Sequence, residues 1–258
     1  MAEIQRPGAL YRQVAAAIRE AIAAGEYEPG SPLPSEAQLI ARYEVSRPTV
    51  RNAISALRAE GLIEVIHGKG SFVRTAPTQL TTLDRTITQD EDGTFHTGLD
   101  TWQLLEGPTV HRTHTTPETG RLLGLPTEEP LFGVDRLYNH PDTGTRLAHR
   151  TLIPYATAED TELADHPDTD PAASYAILTK AGHTLTWTET TRARMPLPDE
   201  REALHLPDAT PVLHTTRVTH GTDDRPLILE ELRVNGDHAR TAYRITARTP
   251  HHLPVTQP

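Results

Sequence analysis

Arg47, Arg51 and Arg58 recur at a spacing that puts them on one stripe of a helix, beside an apolar stripe of Val50, Ala53, Ile54 and Leu57. Guanidinium groups lined up on a wet helix face either stay solvated or meet an acidic partner, and a charge run taken alone favours the first. The neighbouring residues shift that weighing. Ser35 and Gln38 have capping-box spacing for a preceding helix. Ser46 can cap the arginine-bearing helix, and Pro48 fits its first turn, where no intrahelical donor is needed. Downstream, His67-Gly68-Lys69-Gly70 can close a hairpin between Leu62–Ile66 and Ser71–Val73. Helix, turn, helix and hairpin wing in that order make DNA the acidic partner to expect, with guanidinium-to-base and cation-to-phosphate hydrogen bonding as the chemistry.

The elements that position those groups follow from periodicity. Leu10 to Ala24 carries Leu10, Val14, Ile18, Ala21 and Ile22 at helical spacing and is followed by Gly25. Tyr27 to Pro34 is proline-rich and predicts an extended connection into the helix-turn-helix. Residues 1–75 thus form one domain. A linker is expected over 76–84, where little can be buried, and residues 85–258 form a second domain.

Charge divides the chain at the same place. The formal net charge of −10, taken for the chain as a whole, is unsuited to phosphate contacts. Residues 1–75, however, have a net charge of +1 and the remainder −11, so the acidic domain should be held away from the phosphates. There is no cysteine, no apolar run long enough to span a membrane and no secretory leader pattern, which predicts a cytoplasmic protein with no membrane partner. No nucleophile–base pair or glycine-rich phosphate loop stands out. His111 and His114 fall on opposite faces of an expected strand, and His251-His252 sits in a proline-rich tail. No metal, no cofactor and no catalytic residue is therefore expected.

The second domain contains an internal repeat. Leu125-Pro126 is echoed by Leu206-Pro207, and at the same offset Arg136 meets Arg217 and Leu137 meets Val218. Each copy predicts a strand (Val110–Thr115, Leu185–Arg194), a short helix (Glu118–Leu123, Glu200–Leu204) and a hairpin (Leu131–Tyr138 with Arg146–Ile153, Val212–His220 with Leu227–Val234). A further helix is expected over Ala172–Ala181. Two three-stranded units in one antiparallel sheet, with helices on one face, is the expected α+β architecture.

The words LYRQVAAAIREAI, LPSEAQLIARY, VSRPTVRNAISALRAEGLI and HGKGSFV resemble the winged helix-turn-helix of the GntR family of bacterial transcription regulators. The resemblance implies DNA contacts at Arg47, Thr49 and Arg51 of the second helix. It also implies contacts at His67, Gly68 and Lys69 of the wing, and at Ser35 and Glu36 where the preceding helix starts. Ala37 stands where many relatives carry an arginine, which removes one contact. The chemistry agrees: an arginine fork suits guanine O6 and N7, and the short Thr49 suits a phosphate or a thymine methyl.

Residues 85–258 are similar to the UTRA effector domain of the HutC branch, a chorismate-lyase-like fold. The similarity is carried by Val134-Asp135-Arg136, Ile153-Pro154, the Ser174 helix, Pro226 and Asn235-Gly236-Asp237. Relatives that bind a sugar phosphate use two arginines, two carboxylates and a tyrosine. Here the first arginine falls on Arg136, the second on Tyr138, and a hydroxyl falls on Ser174. The family carboxylates fall near His149 and Arg150 and on Ile228, and the tyrosine falls on Val234. Half of that polar set is lost, which suits a bulkier or more apolar ligand, or none. Glu189 and Glu231 complete the candidate effector-binding set, or else pair with Arg136 across the strands. The resemblance implies a homodimeric repressor on a double-stranded DNA operator, with an inverted repeat and a small-molecule effector. A regulator with a vestigial pocket, and an enzyme with lyase-like activity, are the alternatives.

Overall fold

The structure, a computed structural model, describes residues 7–66, 68–75 and 79–245. The first domain begins with α1 (Pro7–Ala23), α2 (Glu36–Tyr43) and α3 (Arg47–Ala59). Ser35 and Gln38 form the expected capping box. The Ser35 hydroxyl accepts from the Gln38 amide at 3.3 Å, while Gln38 Oε1 accepts from the Ser35 amide at 2.9 Å. Glu44 ends α2 in the left-handed region (φ 53°), which turns the chain toward Ser46, the cap of α3. Apolar stripes from the three helices then share one core built on Val14, Ile18, Leu39, Val50, Ala53 and Leu57.

Ile63 and Val73 extend that core onto a hairpin of β1 (Ile63–Ile66) and β2 (Gly70–Val73), in which they pair directly. The extended connection 27–34 runs beside β2 as a third edge. The Gly30 amide donates to Val73 O at 2.9 Å, the Val73 amide to Ser31 O at 2.9 Å and the Leu33 amide to Ser71 O at 2.8 Å. Its prolines leave the outer side without a full row of donors, as suits an edge.

The second domain begins earlier than residue 85. After β3 (Thr81–Asp84) come the short strands β4 (Thr88–Gln89), β5 (Phe95–His96) and β6 (Gln103–Leu104). The first repeat copy is β7 (Thr109–His114), α4 (Pro117–Leu123), β8 (Pro130–Asn139) and β9 (Arg146–Pro154). After α5 (Tyr155–Ala158) and α6 (Pro171–Lys180), the second copy is β10 (Thr186–Arg194), α7 (Pro198–Ala203), β11 (Val212–His220) and β12 (Pro226–Asn235). The closing strand β13 (Ala239–Ala242) pairs in parallel with β3, so residues 81–84 belong to the second domain and the expected 76–84 linker is shorter than composition suggested.

The main sheet has seven strands in the order β10-β11-β12-β9-β8-β6, with β7 also paired to β8. The two copies meet where β9 pairs with β12. Helices cover both faces of this sheet, which corrects the one-face expectation. Leu122, Leu123 and Leu125, in and just after α4, pack on Leu131, Leu152 and Leu229, while Leu204 and Leu206 beyond α7 pack on Val212. Across the sheet, Leu178 of α6 packs with Ile153 and Ile228. Both kinds of alternating position are buried at Leu152 and Ile153 and at Leu227 to Glu230, so each face is covered there, while Ala148, Arg150, Glu231 and Arg233 stay half-buried.

Residues 85–108 lie over the α6 face. Phe95 meets Tyr175 edge-on at 5.8 Å and Trp187 at 6.1 Å, and Trp102 is buried with Leu83, Tyr138, Leu147 and Leu232. Gly98 makes this cover possible. It has φ +76°, and a Cβ there would stand 1.7 Å from the Asp84 carbonyl oxygen. Gly98→Ala is therefore expected to destabilise the second domain by about 1–3 kcal/mol, read as a lower thermal midpoint; an unchanged midpoint would contradict the packing described.

Candidate nucleic-acid interface and effector face

The start of α2 and the start of α3 lie side by side. Arg51 Nε donates to Glu36 Oε1 at 3.0 Å, and Arg47 Nε lies 3.8 Å from Glu36 Oε2. Both side chains remain well exposed, Arg47 at 65% and Arg51 at 63%. An exposed pair of this kind contributes little to stability, so its guanidiniums exchange readily for phosphate or base partners. Thr49 is half-buried, with its hydroxyl 2.8 Å from that of Ser46. Ser35 is exposed but holds the α2 cap.

In the wing, Gly68 (φ +76°) and Gly70 (φ +111°) occupy the left-handed region, and a Cβ on either would meet nothing within 4 Å. These glycines are thus required by backbone conformation rather than by crowding. Exposed Lys69 sits between them, its amide donating to Ile66 O at 3.0 Å. His67 lies outside the described residues. The structure brings together Ser35, Glu36, Arg47, Thr49 and Arg51 on the two helix starts, with Gly68 and Lys69 at the tip of the hairpin. Arg58, third in the arginine stripe, behaves differently: it pairs with Asp208 of the second domain. The acidic domain thus meets the basic one at the end of α3, at the opposite end from Arg47 and Arg51.

The effector candidates divide between the two sheet faces. Arg136, 6% exposed, is on the α6 face, but it does not pair with Glu189 or Glu231. Its Nη2 donates to Asp168 O at 2.9 Å and Thr169 O at 2.7 Å, and its Nη1 to Thr151 Oγ1 at 3.2 Å. Ser174 is neither a cap nor a free hydroxyl. Asp170 caps α6, and Ser174 Oγ donates back to Asp170 O at 3.0 Å. Tyr138 lies beside Arg136 on a cavity of about 400 Å³ that is also lined by Thr97, Leu99, Trp102 and Asp170. Burial pushes the Tyr138 hydroxyl up to about 12, so it remains a neutral donor there.

Glu189 is on the same face but is already caged. Arg85 grips it at 2.9 and 3.2 Å, Arg217 pairs with it, and the Tyr243 hydroxyl donates at 2.9 Å. Glu231 belongs to the opposite face, where His214 Nε2 stands 3.6 Å away. One residue of register explains the correction: Glu230, not Glu231, shares the Arg136 face, because neighbours on a strand point to opposite sides.

Glu230 is a buried node that sequence reasoning missed. His149 Nε2 lies 3.1 Å from its Oε1, and the Tyr175 hydroxyl donates to its Oε2. Burial alone would push this carboxyl up, yet the His149 hydrogen bond, the Arg217 charge and the Tyr175 hydroxyl hold it down at about 2. Burial pushes His149 below its ordinary value, so it stays neutral near pH 7. A Glu at a strand position flanked by Leu229 and Glu231 gave no alternation signal, and only the register of β9 with β12 identifies its partner.

An exposed arginine-bearing α3 beside a glycine wing, joined to a two-copy antiparallel sheet with a ligand-sized cavity, defines the class of winged-helix DNA-binding regulators with an effector domain. Comparison with known families agrees. Residues 10–73 match the bacterial regulatory proteins of the gntR family, and residues 109–240 match the UTRA domain. The chain belongs to the GntR family of transcription regulators, in its UTRA-bearing, HutC-type branch.

An uncharacterized HTH-type transcriptional regulator of Streptomyces coelicolor is 28% identical over 229 residues, covering 83% of this chain and 84% of that one. The mannosyl-D-glycerate transport/metabolism system repressor MngR of Escherichia coli is 48% identical over 65 residues, covering 25% of this chain and 27% of its own length. The histidine utilization repressor of Klebsiella aerogenes is 40% identical over 67 residues, or 26% and 28% of the two chains. The chain thus spans only about a quarter of the length of these two repressors. A solved GntR-family regulator shares the fold, with a TM-score of 0.66 at 20% identity over 95% of this chain and 99% of its own. Among the described residues no helix is long and apolar enough to cross a membrane.

Proposed function

We propose that the protein is a homodimeric repressor that reads an inverted-repeat operator with α3 and the wing, and that a small molecule bound on the α6 face releases it. The observation that carries this reading is the exposed Arg47–Arg51 pair at the start of a capped helix, next to a left-handed glycine wing. Asn52 joins the contact set. It is exposed on α3, and its helical position falls on the arc between Arg51 and Thr49, where an amide suits an adenine edge.

The cavity supports a ligand class different from a sugar phosphate. Its arginine is already occupied by backbone carbonyls, and the lining is mixed: Trp102, Leu99 and the neutral Tyr138 share it with Thr97, Asp100, Asp168 and Asp170. A compact aromatic molecule that carries hydrogen-bond donors as well as an acceptor suits that mixed lining. The same occupied Arg136 favours, as a second reading, a regulator whose pocket has no effector.

A thermal-shift screen of aromatic and aliphatic metabolites, followed by operator-release measurements on the hits, separates the two. A ligand at a hundred times its Kd should stabilise the protein by about 2.7 kcal/mol and lower operator affinity. Stabilisation without any change in operator binding would remove the effector role. The dimer reading is tested by removing residues 76–258: the isolated head should bind a single half-site yet lose the tight binding of a full operator. Undiminished full-operator affinity would contradict dimerisation through the second domain.

A further inference from the structure

Head and effector domain are tied by a small set of polar contacts that converge on one loop. Asp208, between α7 and β11, accepts from two arginines at once: Oδ2 takes Arg58 in the last turn of α3, and Oδ1 takes Arg201 of α7. A second tie lies at the end of the wing. Arg74 Nη2 donates to Asp237 Oδ2 at 2.7 Å and to Thr210 Oγ1, and its Nη1 reaches Asp208 O at 3.4 Å. Gly61 (φ +73°) lets these segments approach, since a Cβ there would lie 3.1 Å from Arg74 Nη1 and 3.9 Å from Ala209 O.

The far side of the loop is anchored. Glu200, next to Arg201 on α7, is 5% exposed and accepts from Arg194 at 2.5 and 2.7 Å and from the Leu197 amide at 2.8 Å. The loop backbone itself holds His205 (φ 51°) and Ala209 (φ 54°) in the left-handed region without glycine. Such residues persist only where their surroundings over-determine them.

The chain crosses from head to effector domain once, and the Arg58–Asp208 pair adds a second point of attachment on α3 itself. We propose that Asp208 is a positioning residue for DNA recognition: it orients α3 against the effector domain and thereby sets the separation of the two reading helices. This inference rests on the dimeric, inverted-repeat reading above. It assigns no DNA contact to Asp208, which acts only through Arg58. The Asp237–Arg74 tie supports the same docking from the wing side.

The test uses the full-length protein on duplexes with one half-site, and on duplexes with two inverted half-sites whose spacer grows one base pair at a time. The wild type should prefer one spacer by about tenfold or more, since simultaneous engagement depends on matched geometry. Asp208→Asn should flatten that preference to within about threefold and leave single half-site affinity unchanged. Arg58→Gln should flatten it in the same way, and Asp208→Glu should retain it. The proposal is overturned if Asp208→Asn or Arg58→Gln keeps the wild-type spacer profile. It is equally overturned if Asp208→Asn loses single and paired half-sites alike, because that marks a head that no longer reads DNA. A wild type that binds one half-site well yet ignores spacer length would instead remove the dimer reading, and the proposal with it.

Discussion

Replacing Arg51 with alanine is expected to weaken operator binding by about 1–3 kcal/mol, roughly five- to 150-fold, and to relax base preference at one position of each half-site. Arg51 is exposed and, among the described residues, is held by Glu36, a carboxylate that a base edge can replace without leaving a buried charge behind. The helix that carries it is rigid, because Ser46 caps its start and Val50, Ala53 and Leu57 are fully buried. Alanine removes the fork while keeping the helix, so the fold should survive. Lys69→Ala provides the contrast. A wing lysine meeting phosphate should lose affinity evenly across sequences and reduce the salt slope by about one. Unchanged affinity of Arg51→Ala in an anisotropy titration would place the reading surface elsewhere.

Glu230→Ala is expected to lower the stability of the second domain by about 3–5 kcal/mol, the usual range for breaking a buried ionic node. The loss has three parts. The Tyr175 hydroxyl and His149 Nε2 forfeit their acceptor, and Arg217 keeps only Glu189 against its buried charge. The pH dependence has a definite sign. The folded-state carboxyl is depressed to about 2, so its stabilisation is fully present above the unfolded value near 4.5 and is lost as pH falls toward 2. His149, depressed by burial, acts in the same direction: its contribution is present above 6.5 and fades as pH falls below it. Wild-type stability should therefore decline on acidification, and Glu230→Ala should show a shallower decline. Denaturant titrations across that range measure both, and a variant as stable as the wild type would rule out the node.

Local signals were legible wherever one residue decides a local event. Ser35 with Gln38, and Ser46 before Pro48, mark helix starts because caps are chosen within one turn. The repeat disclosed both hairpins because each copy carries its own alternation and turn. What stayed hidden depends on distant partners. Strands β9 and β12 bury both faces once the copies meet, so alternation could not show that helices lie on either side. The choice between Glu230 and Glu231 turned on one residue of register. The strand at Thr81–Asp84 reads as linker because its pairing partner lies at Ala239–Ala242. Asp208 is 150 residues from Arg58, and nothing in the local composition links them.

The most direct measurement is selection of binding sequences from a random duplex library by the full-length protein. A homodimer reading DNA through α3 should enrich an inverted repeat with half-sites about one helical turn apart or a multiple of it, and should lose a defined base in each half-site when Arg51 is alanine. Recovery of no common sequence, or of the same sequences with Arg51→Ala as with the wild type, would contradict that reading.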